Sequence, residues 1–323
     1  MVLVLGAESY IGRVFCAELR RRGYDFILPA AREYCDFNTL FDCVRKARPA
    51  FVIEAAGCLN PDTDIFEPAR EEVLRANTIL PRYLAQVCLM TNTPWGHTSS
   101  CGIYSGAKVV VVTGLAVAKK MSRGELLRLI AECPEKIRGF TESDEPNFSF
   151  RATPCNFFSG TVALAEEAIR GIGRNYIWRL GQPFNERGEP ENFLQQIQTA
   201  EKIYDGASAS SHTGDFVRAC LDLWERGAPY GTYNVANPGL ITNSQIAEMV
   251  RKIIKPARHF EFWRDDVEFY SRGNRVQHSD YVLDVSKLLA TGVTMRPVSE
   301  AIEDSLNNWR TESTPGELHK AAA

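Results

Sequence analysis

The chain has 323 residues with a formal net charge of −3, and 45% of its residues are hydrophobic while 24% are charged. This length allows one large core or a core with a smaller lobe. The near-neutral charge argues against a nucleic-acid-binding surface or an anionic membrane partner, and leaves open only a local basic pocket.

Targeting segments and metal sites are not predicted. The apolar run after Met1 is short and ends at Gly6, and the longest apolar stretch, residues 109–118, is about half the length that a bilayer span requires. The nine cysteines are scattered without a CxxC pair, and the five histidines show no metal-ligand spacing. We therefore expect a cytoplasmic chain with free, mostly buried thiols and without a metal site or a membrane partner.

Strand-like and helix-like segments alternate through the first part of the chain, which predicts a parallel sheet with crossover helices. The predicted strands are residues 2–5, 24–28, 51–53, 95–100 and 176–180, and the predicted helices are residues 11–22, 69–90 and 161–170. Pro81 predicts a kink or a break in the second of these helices. The fold class predicted is α/β, with a doubly wound parallel sheet of the Rossmann type.

The remaining segments define an insertion and a smaller C-terminal lobe. The insertion covers about residues 104–139 and holds a strand-like run and then a helix, which Ser122 and Glu125 open with a capping-box pattern. Later helices are predicted at 215–226, 245–254 and 298–309, and a strand at 233–235. We predict a dinucleotide-binding domain over 1–180, a substrate-binding lobe over 181–310 with elements returning to the core, and a disordered tail over 311–323.

A segment with glycines at both ends joins the first predicted strand to the first predicted helix, and it reads Gly6-Ala7-Glu8-Ser9-Tyr10-Ile11-Gly12. The first glycine permits a tight turn and the last permits close helix–strand packing, while backbone N–H groups and the helix N-terminus hold a pyrophosphate. The segment therefore predicts a site for NAD or NADP. An ordinary strand–helix turn with two glycines is the alternative.

Two residues depart from the usual pattern of this loop. Ser9 stands where a middle glycine is usual, and Glu8 adds a negative charge; both changes should weaken cofactor binding, unless Glu8 points outward. Arg32 lies just beyond the second strand, where it would suit a 2′-phosphate and favour NADP, and a solvated loop arginine is the alternative.

Further motifs carry a resemblance over nearly the whole chain except the insertion and the tail. They are Ala55-Ala56-Gly57 after a strand, Asn77 in the next helix, Ser99-Ser100, Gly139-Phe140-Thr141-Glu142-Ser143-Asp144-Glu145-Pro146-Asn147-Phe148, Trp178-Arg179-Leu180, and Thr232-Tyr233-Asn234-Val235-Ala236-Asn237-Pro238-Gly239. With the glycine loop, they resemble the extended short-chain dehydrogenase/reductases, especially dTDP-4-dehydrorhamnose reductases and NDP-4-keto-6-deoxyglucose 3,5-epimerase/4-reductases.

The resemblance implies a homodimer that acts on a nucleotide-linked sugar or a similar small molecule. It also implies cofactor contacts at the positions that match the family, namely Gly6, Ser9, Tyr10, Ile11, Gly12, Arg32, Ala55, Ala56, Gly57 and Asn77.

Reductases of this kind use a Ser or Thr, a Tyr, and a Lys four residues after the Tyr. The Tyr gives a proton to the carbonyl oxygen as hydride reaches the carbon, the Lys lowers the Tyr pKa, and the Ser or Thr orients the carbonyl. By resemblance, this slot lies at Phe158 and Val162, with Ser100 or Ser99 as the hydroxyl. The Tyr and Lys are therefore replaced, and ordinary carbonyl reduction should be impaired.

Other residues are candidates for acid/base chemistry. Tyr104 and Lys108 match the Tyr-to-Lys spacing but follow Ser100 too closely to lie on the neighbouring helix, so Tyr104 is either a replacement donor or a pocket-lining ring. The epimerase relatives imply proton transfer by a Cys and a Lys, for which the alignment of the motifs suggests Cys101, one position off, and Lys202; a buried structural thiol is the alternative for Cys101. His278 stands where the relatives have a basic residue for the diphosphate.

Three functional hypotheses follow. The first is an atypical NAD(P)-dependent epimerase/reductase-like enzyme that uses Ser100, Cys101, Tyr104 or Lys202. The second is a ligand-binding or regulatory protein without catalytic activity. The third is a site altered by mutagenesis, which the combined changes at Ser9, Val162 and His278 disfavour.

Overall fold

A computed structural model describes residues 1–57, 67–111, 113–272 and 278–310, so the predicted tail at 311–323 lies outside the described residues. Six parallel strands form the central sheet: β1 (Val2–Leu5), β2 (Phe26–Ile27), β3 (Phe51–Glu54), β4 (Trp95–Ser100), β8 (Asn175–Leu180) and β12 (Gly231–Val235). Their order across the sheet is β12-β8-β4-β3-β1-β2. The predicted doubly wound α/β fold is confirmed. The order in which successive strands are added to the sheet reverses between β1 and β3. Folds of this type bind their ligands at such a point.

Helices cover both faces of the sheet. On one face α1 (Tyr10–Arg21) packs against α8 (Thr213–Glu225), and on the other α4 (Leu80–Met90) packs against α2 (Phe37–Ala47) and α6 (Phe157–Ile169). Each face has its own apolar core. The sequence analysis missed α2, whose N-cap Asp36 accepts hydrogen bonds from two backbone N–H groups.

The helix predicted over 69–90 is one continuous run with an irregular middle. It consists of α3 (Glu67–Leu74), a π-helical turn (Arg75–Ile79) and then α4. Pro81 is the second residue of α4, which follows the π-helical turn directly, so the irregularity lies where the missing N–H of a proline disturbs regular α-helical bonding, and the helix continues through it. π-helical turns of this kind often mark functional sites, and this one contains Asn77.

The insertion forms a small antiparallel sheet and one helix. Its elements are β5 (Ala107–Val110), β6 (Ala116–Lys119), α5 (Arg123–Glu132) and β7 (Ile137–Arg138). Ser122 caps α5 and Glu125 closes the capping box, as predicted. Both ends of the insertion contact the C-terminal region, because Gly106 pairs with Tyr281 and Phe140 pairs with Leu283 through single β-bridges.

After residue 180 the chain forms a separate apolar cluster of its own. It also contributes side chains to the core that lies on the α1 and α8 face of the sheet. The lobe holds β9 (Gln182–Phe184), α7 (Phe193–Thr199), β10 (Lys202–Ile203), β11 (Ser210–His212), α9 (Asn243–Ile253), β13 (Glu261–Phe262), α10 (Asp266–Arg272) and α12 (Val298–Asn307). In contrast, α8, β12 and the short helix α11 (Ser286–Leu289) belong to the central sheet and its core. No described helix is long and apolar enough to cross a membrane.

Candidate functional site

The glycine loop brings β1 and α1 against the end of β3. Gly6 has a φ of 72°, and a Cβ placed there would lie 2.4 Å from the Cα of Ala56. A Cβ on Gly12 would lie 1.9 Å from the Gly6 carbonyl oxygen. Both glycines are therefore required by space, the first also by conformation. The N-terminus of α1 opens at this edge of the sheet, as a pyrophosphate site requires.

Ser9 has a structural role in this loop. Its hydroxyl accepts a hydrogen bond from the Gly12 N–H at 2.9 Å and donates one to the Ala55 carbonyl at 2.7 Å. The side chain therefore caps α1 and ties the loop to β3. Glu8 is exposed, which is the outward position that the sequence analysis left open. Weaker cofactor binding because of Ser9 stays a prediction.

The remaining loop residues are packed beneath the turn. Ile11 is buried, and so is the ring of Tyr10, whose hydroxyl has no hydrogen-bond partner among the described residues. Burial, together with the nearby Glu189 carboxylate, raises the pKa of Tyr10 well above its usual value. Tyr10 is thus a packing residue beneath the turn and not an ionisable contact.

The other predicted cofactor positions divide into two groups. Gly57 lies beside Asn77, since a Cβ on Gly57 would lie 3.4 Å from the Asn77 amide oxygen. Asn77 also donates to the Thr161 hydroxyl at 3.3 Å, which connects the π-helical turn to α6. Arg32 lies apart, exposed in a short 3-10 turn that follows β2.

The predicted catalytic slot is assembled around Gly102. A Cβ on Gly102 would lie 3.3 Å from the Ser100 hydroxyl oxygen and 3.9 Å from the Phe158 ring. Phe158 is in the first turn of α6, which begins four residues earlier than the predicted helix because Asn156 caps it. Val162 follows one turn later and is only 6% exposed. The structure therefore brings Ser100 and Phe158 together, with an aliphatic side chain at the next turn.

Ser99 and Ser100 differ in what their hydroxyl groups contact. The Ser99 hydroxyl is buried and donates to the Glu166 carboxylate at 2.6 Å. The Ser100 hydroxyl caps the short turn that follows β4 and accepts from the Gly102 N–H at 3.1 Å. Ser100 therefore faces the slot, while Ser99 faces the interior.

Cys101 is fully buried in an apolar cluster that also contains Val162. Burial raises the pKa of its thiol well above the usual value, although the Arg179 charge opposes this. The thiol is therefore protonated near neutral pH in this conformation, and it can accept a proton only if its surroundings change.

Tyr104 is a core residue in this structure. Its ring stacks on Phe140 with the centroids 4.5 Å apart, and its hydroxyl donates to the Asp144 carbonyl at 2.7 Å and accepts from Arg179 at 2.8 Å. Burial raises the pKa of Tyr104 well above its usual value. Lys108 pairs with the Asp144 carboxylate at 2.9 Å. Tyr104 and Lys108 are thus engaged elsewhere and do not line an open slot.

Lys202 lies on β10 in the C-terminal lobe and is partly exposed. Its ammonium nitrogen is 3.6 Å from a Glu268 carboxylate oxygen and 5.1 Å from the centre of the Trp263 ring. His278 is exposed, and its ring lies 5.7 Å from that of Tyr204. Lys202 and His278 therefore belong to the C-terminal lobe, whereas Ser100 lies on β4 and Phe158 on α6.

Two buried pairs of polar side chains were not predicted from the sequence, one an ion pair and the other a hydrogen-bonded pair. Glu166 and Arg179 are fully buried and bonded at 2.7 Å, and although burial opposes it, the Arg179 charge holds the pKa of Glu166 below its usual range. Glu54 and His97 are bonded at 2.5 Å across β3 and β4. Charged residues within otherwise apolar strands were the available signal. Within the described residues, no three His, Cys, Asp or Glu side chains are grouped to hold a metal ion.

Comparison with known proteins finds similarity to two proteins of Arabidopsis thaliana. It is 22% identical over 303 residues to a bifunctional dTDP-4-dehydrorhamnose 3,5-epimerase/dTDP-4-dehydrorhamnose reductase of Arabidopsis thaliana, covering 93% of this chain and 90% of that protein. It is 23% identical over 303 residues to a trifunctional UDP-glucose 4,6-dehydratase/UDP-4-keto-6-deoxy-D-glucose 3,5-epimerase/UDP-4-keto-L-rhamnose-reductase of the same plant, covering 93% of this chain. The chain spans only 41% of that longer relative.

Solved structures share the fold. The UDP-rhamnose synthase of Acanthamoeba polyphaga mimivirus matches with a TM-score of 0.80 at 17% identity, over 95% of this chain and 98% of that one. The dTDP-4-dehydrorhamnose reductase of Bacillus anthracis, solved in complex with NADP, matches with a TM-score of 0.71 at 17% identity, over 95% and 97%.

The family assignment rests on the whole chain. The profile described as the RmlD substrate binding domain matches residues 1–311, which includes the glycine loop, the slot and the C-terminal lobe. The resemblance predicted from the motifs is confirmed, and the chain belongs to the RmlD substrate binding domain family.

Proposed function

We propose that this chain binds NAD or NADP at the glycine loop and a nucleotide-linked sugar between the sheet edge and the C-terminal lobe. We further propose that carbonyl reduction by the ordinary Tyr-Lys route is impaired. The observation that carries the proposal is the position of Phe158 beside Ser100, with Val162 one turn later. The proposed domain division is a dinucleotide-binding part over 1–180 and a substrate lobe over 181–310.

The residues of the loop fit a dinucleotide. The backbone of Ala56 leaves no room for a side chain at position 6. The backbone N–H groups at the start of α1 can donate hydrogen bonds to a pyrophosphate. Gly57 and Asn77 extend this surface toward α6. Arg32 is exposed beyond β2 and free to approach a 2′-phosphate, which supports NADP. Related structures named as complexes with NADP and with NAD support the same choice.

The chemistry of the slot supports impaired reduction. The nicotinamide of a bound cofactor supplies hydride, and the carbonyl oxygen then needs a proton. Phe158 has no hydroxyl to give one, and Val162 has no charge to lower the pKa of a donor. Ser100 still has a hydroxyl that can orient a carbonyl. The site thus retains substrate positioning and lacks the proton donor.

Acid/base chemistry at a sugar carbon is the activity that the remaining groups allow. Such a step moves a proton from the carbon beside the carbonyl to a base and returns one from an acid, with no net redox change. Lys202 matches the position that the epimerase relatives imply for the lysine, and Cys101 lies one position from the one that they imply for the cysteine. Cys101 would need a conformational change first, because it is buried.

A binding or regulatory function without catalysis is the second candidate. The same missing proton donor at Phe158 favours it, together with the hydrogen bonds that engage Tyr104. The two candidates share cofactor and sugar binding, so they differ only in turnover.

The test of the proposal has two parts. The thermal midpoint should rise with NADP or NAD, because ligand binding stabilises the folded chain. Oxidation of NADPH with a 4-keto-6-deoxy nucleotide sugar should be slow in the natural chain and faster in the double variant Phe158→Tyr with Val162→Lys. A wild-type rate typical of a competent reductase would refute the impairment. Unchanged thermal midpoints would refute cofactor binding.

We also propose a homodimer formed through α4 and α6. Four large apolar side chains on this face are at least one third exposed, namely Ile79, Leu89, Met90 and Leu164. Light scattering of the purified chain, compared with Leu164→Glu, tests this arrangement: a natural chain that is monomeric would contradict it.

A further inference from the structure

The insertion contacts the C-terminal lobe through one buried arginine. Arg123 is the first residue of α5, and its side chain is 6% exposed. Its Nε lies 3.1 Å from an Asp266 carboxylate oxygen, and its guanidinium carbon lies 4.5 Å from the centre of the Tyr204 ring. The inserted helix therefore delivers a positive charge into the lobe that carries Lys202.

Part of this guanidinium is left without a partner. The Nη1 group of Arg123 is buried and makes no hydrogen bond within the described residues. Buried polar groups in folded proteins are nearly always bonded, and leaving a charged donor unpaired is unfavourable. A cation at a helix N-terminus is also opposed by the helix dipole. An acceptor from outside the chain would remove the first of these costs.

A second carboxyl group, that of Asp280, interacts electrostatically with the same guanidinium. The Asp280 carboxyl packs on the turn at Gly206, so tightly that a Cβ there would lie 2.0 Å from its oxygen. Burial raises the pKa of Asp280 to about 7, with Asp266 adding to the shift and Arg123 opposing it. Near neutral pH this carboxyl therefore exists in both forms, and it can accept or donate a hydrogen bond.

The surroundings select the chemistry of the missing acceptor. The positive charge of Arg123 is already paired with the Asp266 carboxylate and also interacts electrostatically with Asp280, which disfavours a phosphate. The Tyr204 ring already contacts Arg123 and, at 4.3 Å between centroids, Phe269, which leaves little room for a stacked base. A ligand with hydroxyl groups on adjacent carbon atoms fits this subsite better than a phosphate or a base. Each hydroxyl can accept a hydrogen bond from a guanidinium and donate one to a carboxylate.

We propose that Arg123 and Asp280 bind hydroxyl groups of the nucleotide-linked sugar, so that the insertion contributes to substrate specificity. This inference rests on the proposed function. The hydroxyl groups belong either to the sugar ring or to the ribose of the nucleotide. Lys202 and Arg123 both pair with acidic residues of α10, at Glu268 and Asp266, which joins this subsite to the lobe's candidate acid/base residue.

The test measures the affinity of UDP-glucose and of UDP by calorimetry for the natural chain and for Arg123→Gln. We expect UDP-glucose to bind roughly 10- to 100-fold more weakly to the variant, as the loss of a charge-assisted hydrogen bond predicts. Weaker binding of UDP-glucose alone assigns the contact to the sugar ring, and weaker binding of both ligands assigns it to the ribose. Arg128→Gln is the matched control, because Arg128 is exposed on the same helix.

Equal affinity of the natural chain and Arg123→Gln for both ligands would overturn the inference, since water would then satisfy Nη1. If Arg123→Gln does not fold, as judged by circular dichroism, Asp280→Ala provides the same comparison from the other side of the subsite. If the natural chain binds UDP-glucose but the variants are unaffected, only the inference fails. If the natural chain binds neither UDP-glucose nor NADP, the proposed function fails as well.

Discussion

The glycine loop and the predicted catalytic slot lie at the same edge of the central sheet, but the loop depends on backbone space and the slot depends on side-chain groups. At the loop, Gly6 and Gly12 fill positions where any side chain would collide with backbone. At the predicted slot, Ser100 provides a hydroxyl beside the first turn of α6, while the Phe158 and Val162 side chains have no group that can donate or accept a proton. Binding geometry depends on backbone and space, whereas proton transfer depends on a few side-chain atoms, so one can be lost without the other.

The scaffold behind the slot gives the largest expected effect. Glu166→Gln leaves the buried Arg179 charge without its partner, so we expect the free energy of unfolding to fall by roughly 3–5 kcal/mol. Urea denaturation measures this. Glu167→Gln is the matched control, because the Glu167 pair with Arg151 is largely exposed and should contribute less than about 1 kcal/mol. Similar losses in both variants would mean that the slot has no rigid scaffold.

The free energy of unfolding should depend on pH through Asp280, which lies in the region proposed to bind the substrate. The native chain keeps the Asp280 proton to about pH 7, whereas an unfolded aspartate loses it near pH 3.9. The unfolded state therefore binds fewer protons between these values, and stability falls as pH rises from about 4 to 7, by up to about 4 kcal/mol. Asp280→Asn should flatten this slope in pH-dependent urea melts. An unchanged slope would show that Asp280 is not the group responsible.

The loop itself can be tested by adding one methyl group. Gly6→Ala should cost roughly 2–3 kcal/mol of stability, because a Cβ would meet Ala56 and the φ of 72° is strained. The thermal shift with NADP should disappear with it. Gly23→Ala is the control, since Gly23 has a φ of 73° but no atom within 4 Å of the added Cβ. If the two variants lose the same stability, the close approach to β3 is unimportant.

The smallest effect is expected at the cap of α1. Ser9→Ala removes the hydrogen bonds to Gly12 and Ala55 and should cost about 1 kcal/mol. Ser9→Gly should lose less stability and, if Ser9 obstructs the pyrophosphate, should bind NADP more tightly. Calorimetry of both variants separates the two roles of this residue. Weaker NADP binding by Ser9→Gly would show that the hydroxyl helps to hold the loop in its binding conformation.

The sequence by itself determined the α/β fold and the family. Apolar runs, glycine spacing and the match at Phe158 and Val162 are local patterns, and local patterns are readable along one chain. They also predicted the cap at Ser122, where a side chain bonds a backbone group three residues away.

Only the tertiary structure decided which candidates face the slot. Tyr104 and Cys101 follow Ser100 directly in sequence, yet both are buried, because the chain turns inward after β4 and the C-terminal region covers it. The buried position of Arg123, which leaves only its Nη1 without a hydrogen bond, depends on contacts with Tyr204 and Asp266, residues more than 80 positions away. Burial and long-range pairing arise from packing, and no spacing within one segment of the chain encodes them.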